Sequence, residues 1–140
     1  MWFQYVEIKA PQAALMEPDE NQNRYRPTKE LYKAENQLIH YWYQARGDSL
    51  FKQRFQLHNE SQVKLGGVVI GRNDTITRNS DPSKVRAARL SLDIRMNTLY
   101  QHNGLKVLVW DRLLTFVAPR SSPAAGRRLR SPPLKSRHRP

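Results

Sequence analysis

Apolar residues in the first part of the chain recur with two periods. Residues 2 to 9 are rich in aromatic and β-branched side chains, which predicts a short strand or an ordered N-terminal arm. Residues 11 to 27 hold three prolines among amides and acids and predict a loop. From the N-cap Thr28 to Gly47, apolar residues recur at steps of three and four, which predicts a helix: Leu31, Ala34, Leu38, Tyr41, Trp42 and Ala45. We expect this stripe to pack on a core; the alternative is a surface that stacks nucleotides.

The second part of the chain changes to strict alternation. Residues 62 to 70 predict a strand, and Gly66 and Gly67 within it mark a bend or a close approach of two backbones. Residues 89 to 97 predict a half-buried strand, because apolar and polar residues alternate there. Asn103-Gly104 then predicts a type I′ hairpin turn, and residues 105 to 117 predict the returning strand.

These elements predict a mainly β fold with a helical N-terminal segment. The glycines of the strand at 62 to 70 favour a sheet that coils into a barrel. We divide the chain into an N-terminal strand and helix (1–60), a β domain (61–118) and a basic tail rich in proline, serine and arginine (119–140). The tail has the composition of a disordered segment.

The charge of the chain points to a polyanionic partner. Lysine and arginine number 24 against 12 acidic residues, a formal net charge of +12, and the tail contributes basic residues without any acid. There is no cysteine, which excludes disulfides and thiolate metal sites. No apolar run reaches the length of a membrane span and no secretory signal is evident, so we expect no membrane partner.

Four segments in order resemble the single-stranded DNA-binding proteins of bacteria and organelles. Residues 63–69 (Val-Lys-Leu-Gly-Gly-Val-Val) are similar to the first strand of that family, and Asp74 and Arg78 to its first loop. Residues 88–92 (Ala-Arg-Leu-Ser-Leu) and 107–113 (Val-Leu-Val-Trp-Asp-Arg-Leu) are similar to its second and third strands. The resemblance covers about residues 61 to 114.

This resemblance implies an OB fold that binds single-stranded DNA or RNA in DNA maintenance, as a homo-tetramer. It also implies an organellar location, with the mitochondrion favoured, or association with a nucleoid. The chain departs from the family at Gly104, where a second tryptophan is usual, and in its tight turn between strands two and three. After Val117 no strand pattern follows, so the strand at 2 to 9 or a partner completes the barrel, or the barrel is open.

The candidate binding residues are one tryptophan and eight cations. By the resemblance, Trp110 is the aromatic on which a base stacks; the alternative is that it packs beneath the N-terminal helix. If residues 89–97 and 105–117 are paired strands, Arg89, Arg95, Lys106 and Arg112 share one face. The predicted phosphate contacts are Arg72, Arg78, Lys84, Arg86, Arg89, Arg95, Lys106 and Arg112.

The sequence offers little support for catalysis. The histidines are scattered, without a pair or a carboxylate at useful spacing, so we expect no enzyme, no metal, no cofactor and no small-molecule substrate. Two alternatives to a single-strand binding module remain open. One is a structural subunit of a large ribonucleoprotein such as an organellar ribosome, and the other is a scaffold or linker between acidic proteins.

Overall fold

The structure, a computed structural model of the chain, describes residues 1–20 and 24–117. The strands of this part are β1 (Phe3–Ile8), β2 (Met16–Pro18), β3 (Tyr25–Pro27), β4 (Val63–Val69) and β5 (Lys106–Leu108). Its α-helices are α1 (Lys29–Gly47), α2 (Ser49–Arg54), α3 (Pro82–Arg95) and α4 (Trp110–Val117). A π-helical turn (Met96–Tyr100) extends α3, and short 3-10 turns cover Glu60–Gln62, Asn73–Thr75 and Gln101–Asn103.

A parallel sheet with the strand order β1-β4-β5 organises the fold. Parallel neighbours need a crossover, so α1 and α2 connect β1 to β4, and α3 connects β4 to β5. β2 and β3 form a separate antiparallel pair. Because the three parallel strands run the same way, the loops after them meet at one edge of the sheet, where ligands bind in open α/β sheets. Strand β1 of the predicted N-terminal segment (1–60) and strand β4 of the predicted β domain (61–118) are neighbours in this sheet.

Helix α1 covers one face of the sheet, helix α3 packs mainly on the β2–β3 pair, and together with the sheet they form the main core. Thr28 caps α1 by accepting the Leu31 amide, and Asp81 caps α3 by accepting the Ser83 amide, with Pro82 in the first turn. Both helices contribute short stretches of buried apolar residues at helical spacing. With the sheet, they form a cluster that includes Leu31, Ala34, Leu38, Val68, Ile70, Ala88, Leu92 and Val107.

The opposite face of the sheet is open in part: Val69, the register partner of Ile8 and Leu108, is buried, whereas other residues of this face are exposed. Val6 and Ile8 of β1 are 56% and 59% exposed there. Lys64 and Lys106, which lie on the same face of β4 and β5, are exposed as well. This face is therefore most exposed along β1 and at the amino ends of β4 and β5.

A hydrogen-bonded network joins α1 to the end of α3. The Tyr100 hydroxyl donates to the carboxylate of Glu35, which is buried, and accepts a hydrogen bond of 2.5 Å from Arg95 Nε. Arg95 Nη2 also donates to Glu35 Oε2 at 3.2 Å. Burial, together with the neighbouring Glu35 carboxylate, raises the pKa of Tyr100 well above its ordinary value.

We expect this pKa shift to make the fold less stable in alkali. Above about pH 10 the unfolded chain releases the Tyr100 proton while the folded chain retains it, so the free energy of unfolding falls as pH rises. Urea unfolding of the wild type and of Tyr100→Phe, from about pH 8 to about pH 11, measures the effect. The free energy of unfolding should fall less steeply with pH in the variant than in the wild type. An equal fall with pH in both proteins would contradict the prediction.

The structure confirms several local predictions. The strand expected over residues 2 to 9, the helix from the N-cap Thr28 to Gly47 and the strand over residues 62 to 70 are β1, α1 and β4. The predicted close approach of backbones at the strand glycines is also confirmed. A bulge follows Lys64 in β4, and a Cβ on Gly66 would overlap the Tyr5 carbonyl oxygen.

The predicted fold class is wrong. Residues 82–95 form helix α3 instead of a barrel strand, and β4 and β5 pair in parallel. The described residues therefore form an α/β fold with a parallel three-stranded sheet and no OB-like barrel. Asn103-Gly104 is not a hairpin turn: Gly104, with φ of 70°, ends the helical segment. The run from 105 to 117 divides into β5 and α4. The predicted loop over 11 to 27 holds β2 and β3.

The expected basic tail begins at 119 and lies outside the described residues. Among the helices of the described ranges, none combines the length and the apolar composition that crossing a bilayer requires.

Candidate functional site at the carboxyl end of the sheet

Two charged residues continue the helix-covered face of β1. Phe3 and Tyr5 alternate along this face and pack against the hydrophobic clusters. Glu7 and Lys9 take the next two positions of the same alternation, at the carboxyl end of the strand. Their side chains are only 19% and 25% exposed. An apolar pair would extend the core here, so the two charges are an exception to the pattern of the strand.

Lys9 is held between two oxygen atoms. Its Nζ lies 2.6 Å from Glu7 Oε1 and donates to Gln37 Oε1, also at 2.6 Å. Gln37 projects from α1, the crossover helix that packs on β1, and is half-buried. We call Glu7, Lys9 and Gln37 the Glu7 site. It places a carboxylate, an ammonium group and an amide side by side.

The backbone at this site is fixed on both sides. The Lys9 amide donates to the Val69 carbonyl at 2.8 Å, and the Lys9 carbonyl accepts from Trp110 Nε1 at 2.8 Å. The Gly71 amide donates to Ala10, and the Trp110 amide to Gly71. Trp110 therefore ties together the carboxyl ends of β1, β4 and β5. Such anchoring limits the movement of the Glu7 site.

A crevice of about 460 Å³ lies beside the carboxyl ends of β4 and β5, between α3 and α4. The backbone N–H of Asn73 donates to Asp111 Oδ2 at 2.7 Å, and Arg89 Nη2 lies 3.4 Å from the backbone carbonyl oxygen of Asn73. Arg72 Nε lies 3.6 Å from Asp74 Oδ1 and 3.8 Å from Asp111 Oδ1. Arg112 also lines the crevice. This edge of the sheet thus carries several arginines, partly balanced by aspartates.

The structure brings together some of the predicted binding residues and separates others. Trp110, Arg72, Arg89 and Arg112 gather around the carboxyl edge. Arg78 lies 3.8 Å from Glu30 of α1, and Lys84 and Arg86 are exposed on α3. Trp110 is half-buried, and its indole N–H is occupied by Lys9. Its role as a stacking residue stays a prediction.

Arg89, Arg95, Lys106 and Arg112 do not share one face, as the assumed hairpin required. Arg95 turns into the network with Glu35 and Tyr100 between α1 and α3. Lys106 is exposed on the open face of the sheet. Arg89 and Arg112 line the crevice between α3 and α4, and Arg112 lines a second crevice with Lys106. The separation follows from residues 82–95 being helical, since a helix turns alternate residues to different sides.

Sequence analysis missed all three members of the Glu7 site. The signal was present: residues two apart on a predicted strand point to the same side, and Glu7 and Lys9 continue the apolar face of Phe3 and Tyr5. Gln37 lies three residues after the buried Ala34 and next to the buried Leu38, so its position on α1 borders the core. The prediction of no catalysis rested on the scattered histidines, whereas this site pairs a carboxylate and a lysine on one strand.

The metal-binding capacity of the described residues is limited. They contain no group of three or more histidine, cysteine, aspartate or glutamate side chains that could enclose a metal ion. The Glu7 carboxylate is a ligand for a hard cation such as Mg²⁺, which commonly binds one or two carboxylates and completes its shell with water and substrate phosphates. A cation at the Glu7 site would thus need further ligands from water and from the phosphate groups of a substrate.

Comparison with known proteins adds no assignment, since no protein-family model and no curated protein matches the chain.

Proposed function

We propose that the chain hydrolyses phosphodiester bonds of nucleic acid, with a divalent cation held in part by Glu7. The observation that carries this proposal is the contact of Glu7, Lys9 and Gln37 at the carboxyl end of β1. In open α/β sheets this end of the strands is where binding and catalytic groups gather. The chain reaches this arrangement with residues distant in sequence, because α1 brings Gln37 back to β1.

The placement of the charges favours a chemical role over a stabilising one. Removing a carboxylate and an ammonium group from water costs several kcal/mol per ion, and their attraction often fails to offset that cost. The side chains of Glu7 and Lys9 are mostly shielded on a face that otherwise packs apolar groups. An ion pair serving only stability gains little here over a hydrophobic pair.

The three side chains supply complementary parts of a phosphodiester hydrolysis. The Glu7 carboxylate would hold a divalent cation, which would supply positive charge for the phosphoryl group and a water molecule of lowered pKa. The Lys9 ammonium stabilises negative charge on the phosphoryl group in the transition state. Gln37 holds Lys9 through its oxygen, and its amide nitrogen remains a donor. Water bonds to phosphorus and gives up a proton, one P–O ester bond breaks, and the departing oxygen takes up a proton, so protons balance.

The charge of the chain favours nucleic acid as the substrate. A net charge of +12 attracts polyanions, and nucleic acids carry regularly spaced phosphodiesters. Arg72, Arg89 and Arg112 at the carboxyl edge offer guanidinium groups to the phosphates that flank the reacting one. Three of the eight cations predicted from the sequence thus have a role in the proposal, on a different fold.

Cleavage of end-labelled oligonucleotides tests the proposal. Single-stranded and duplex DNA, and an RNA of the same sequence, are incubated with the chain in Mg²⁺, in Mn²⁺ and in EDTA. We expect shortened products with a divalent cation and none in EDTA. If the oligonucleotides bind but stay intact with either cation, hydrolysis is rejected.

A second candidate is binding to single-stranded nucleic acid without chemistry. The specific observation in its favour is the net charge, to which the basic tail contributes. A ribonucleoprotein subunit or a linker between acidic proteins would have the same positive charge. Equal affinity of the chain for duplex and single-stranded nucleic acid would favour these two alternatives over a single-strand binder. The tetramer, the DNA-maintenance role and the organellar or nucleoid location were implied by the resemblance alone and stay predictions.

A further inference from the structure

We propose that a groove at the amino ends of the parallel strands binds an unpaired stretch of nucleic acid, with one base stacked on Trp2 and phosphates on Lys64 and Lys106. The groove has a volume of about 610 Å³. We call it the amino-end groove and define it by Trp2, Gln4, Trp42, Arg46, Lys64 and Lys106. The inference rests on the proposed function only in taking nucleic acid as the ligand.

The groove exposes one indole ring that the fold does not use. Trp2 is 64% exposed, whereas Trp42 is half-buried and donates its indole N–H to the Val63 carbonyl at 3.0 Å. The backbone beside Trp2 is held on both sides. The Met1 carbonyl accepts from Gln62 Nε2 at 2.7 Å, and Phe3 pairs with Val63. An exposed indole on an anchored backbone is a platform on which a base stacks with little loss of entropy.

Two lysines that form no ion pair among the described residues lie on the same face of the sheet. Glu60, which also lines the groove, pairs with Arg46. Lys64 is the register partner of Gln4, and Lys106 is the register partner of Gly67. Within residues 1–20 and 24–117, neither lysine has a carboxylate within ion-pair distance. Free ammonium groups beside an exposed indole match a ligand with phosphates and flat bases.

Arg46 forms a wall of the groove and is already partly engaged. Its guanidinium lies 4.7 Å from the centre of the Trp42 ring, and Nη2 is 3.4 Å from Glu60 Oε2. Among the described residues its buried Nε lacks a hydrogen-bond partner. The ammonium groups of Lys64 and Lys106 therefore carry the uncompensated charge, and Arg46 shapes the site.

The amino-end groove is separate from the Glu7 site. The two lie at opposite ends of β1, and the residues from Trp2 to Lys9 span about 23 Å at the usual rise of a strand. A strand held in the groove is thus anchored away from the reacting phosphate. Binding and cleavage can therefore be tested independently.

Fluorescence anisotropy of labelled oligo-dT, measured with the full chain in EDTA so that cleavage is absent, tests the groove. We expect Trp2→Ala to weaken binding about tenfold and Trp2→Phe to retain most of it, because a phenyl ring still stacks. The double variant Lys64→Gln/Lys106→Gln should weaken binding and reduce the slope of log affinity against log salt by about 1.4. Matched controls on the exposed side of α1, Tyr43→Ala and Lys33→Gln, should bind within about twofold of the wild type.

The outcomes separate the groove from the proposed function. If the groove variants bind oligo-dT like the wild type, the groove is rejected, whatever the cleavage assay shows. If they lose affinity for duplex DNA as much as for oligo-dT, the site is electrostatic only and stacking on Trp2 is rejected. Loss of binding in the groove variants, with no metal-dependent cleavage by the wild type, supports the groove and rejects hydrolysis.

Discussion

Glu7→Gln is expected to lower the rate of metal-dependent cleavage by about a hundredfold or more while oligonucleotide binding in EDTA stays near wild type. The amide that replaces the carboxylate carries no charge, so it is a weaker ligand for a divalent cation. The variant keeps the size of the side chain and can still accept from Lys9. The cation concentration for half-maximal rate should rise, a readout that a purely structural role of Glu7 would not move.

Three further variants sharpen this test. Lys9→Gln should also lower the cleavage rate strongly, and Lys9→Arg should restore it only in part, because a guanidinium does not fit the position of an ammonium. Glu20→Gln, a change at an exposed carboxylate, is the matched control and should cleave like the wild type. Wild-type rates for Glu7→Gln at limiting Mg²⁺ would remove Glu7 from the reaction.

Gly66→Ala is expected to lower the free energy of unfolding by about 3 kcal/mol or more. A Cβ at this position would overlap the Tyr5 carbonyl oxygen and also crowd the Gln4 side chain. The backbone of β1 has to move away from β4, which breaks the pairing that positions Glu7 and Lys9. Urea unfolding followed by circular dichroism measures the change.

Gly47→Ala is the matched control for this prediction. Gly47 ends α1, is exposed, and has no atoms within 4 Å of the place of a Cβ. Alanine is the better helix former, so this variant should be as stable as the wild type or more stable by up to about 1 kcal/mol. If both glycine variants unfold at the same urea concentration, the close approach of β1 and β4 at Gly66 is not a constraint.

Local signals in the sequence predicted β1, α1 and β4, and the reason is that each carries an unambiguous pattern. α1 has a capping threonine and a stripe of apolar residues at helical spacing, so its bounds follow from Thr28 and Gly47. β4 has alternating apolar residues followed by two glycines, and the structure places the close backbone contact at Gly66. These elements needed no information from distant residues.

The pattern over residues 89–97 was ambiguous, and the wrong period was chosen. Leu90, Leu92, Ile94 and Met96 alternate as in a strand, yet Leu90 and Ile94 are 61% and 54% exposed on α3. The buried residues are Ala88 and Leu92, four apart on one side of the helix. Asp81-Pro82, an N-cap followed by a proline in the first turn, was the helix signal that outweighs the alternation.

The candidate site was predicted only in part for a related reason. Arg72, Arg89 and Arg112 belong to different elements, and they meet because parallel strands end at one edge of a sheet. Arg95 was expected on the surface, but the buried Glu35, 60 residues away, draws it into the core. A charged residue reads the same in sequence whether it faces solvent or a buried partner.

The sequence by itself determined the local elements with strong caps and periods, the excess of positive charge and the absence of cysteine chemistry. Only the tertiary structure decided that β4 and β5 run parallel, because that pairing depends on α3 being the crossover connection between the two strands. It also decided that Gln37 meets Glu7 and Lys9, since a contact across 28 residues follows from how α1 packs on β1. Local preferences act over a few residues, whereas strand order and side-chain contacts minimise the free energy of the whole chain.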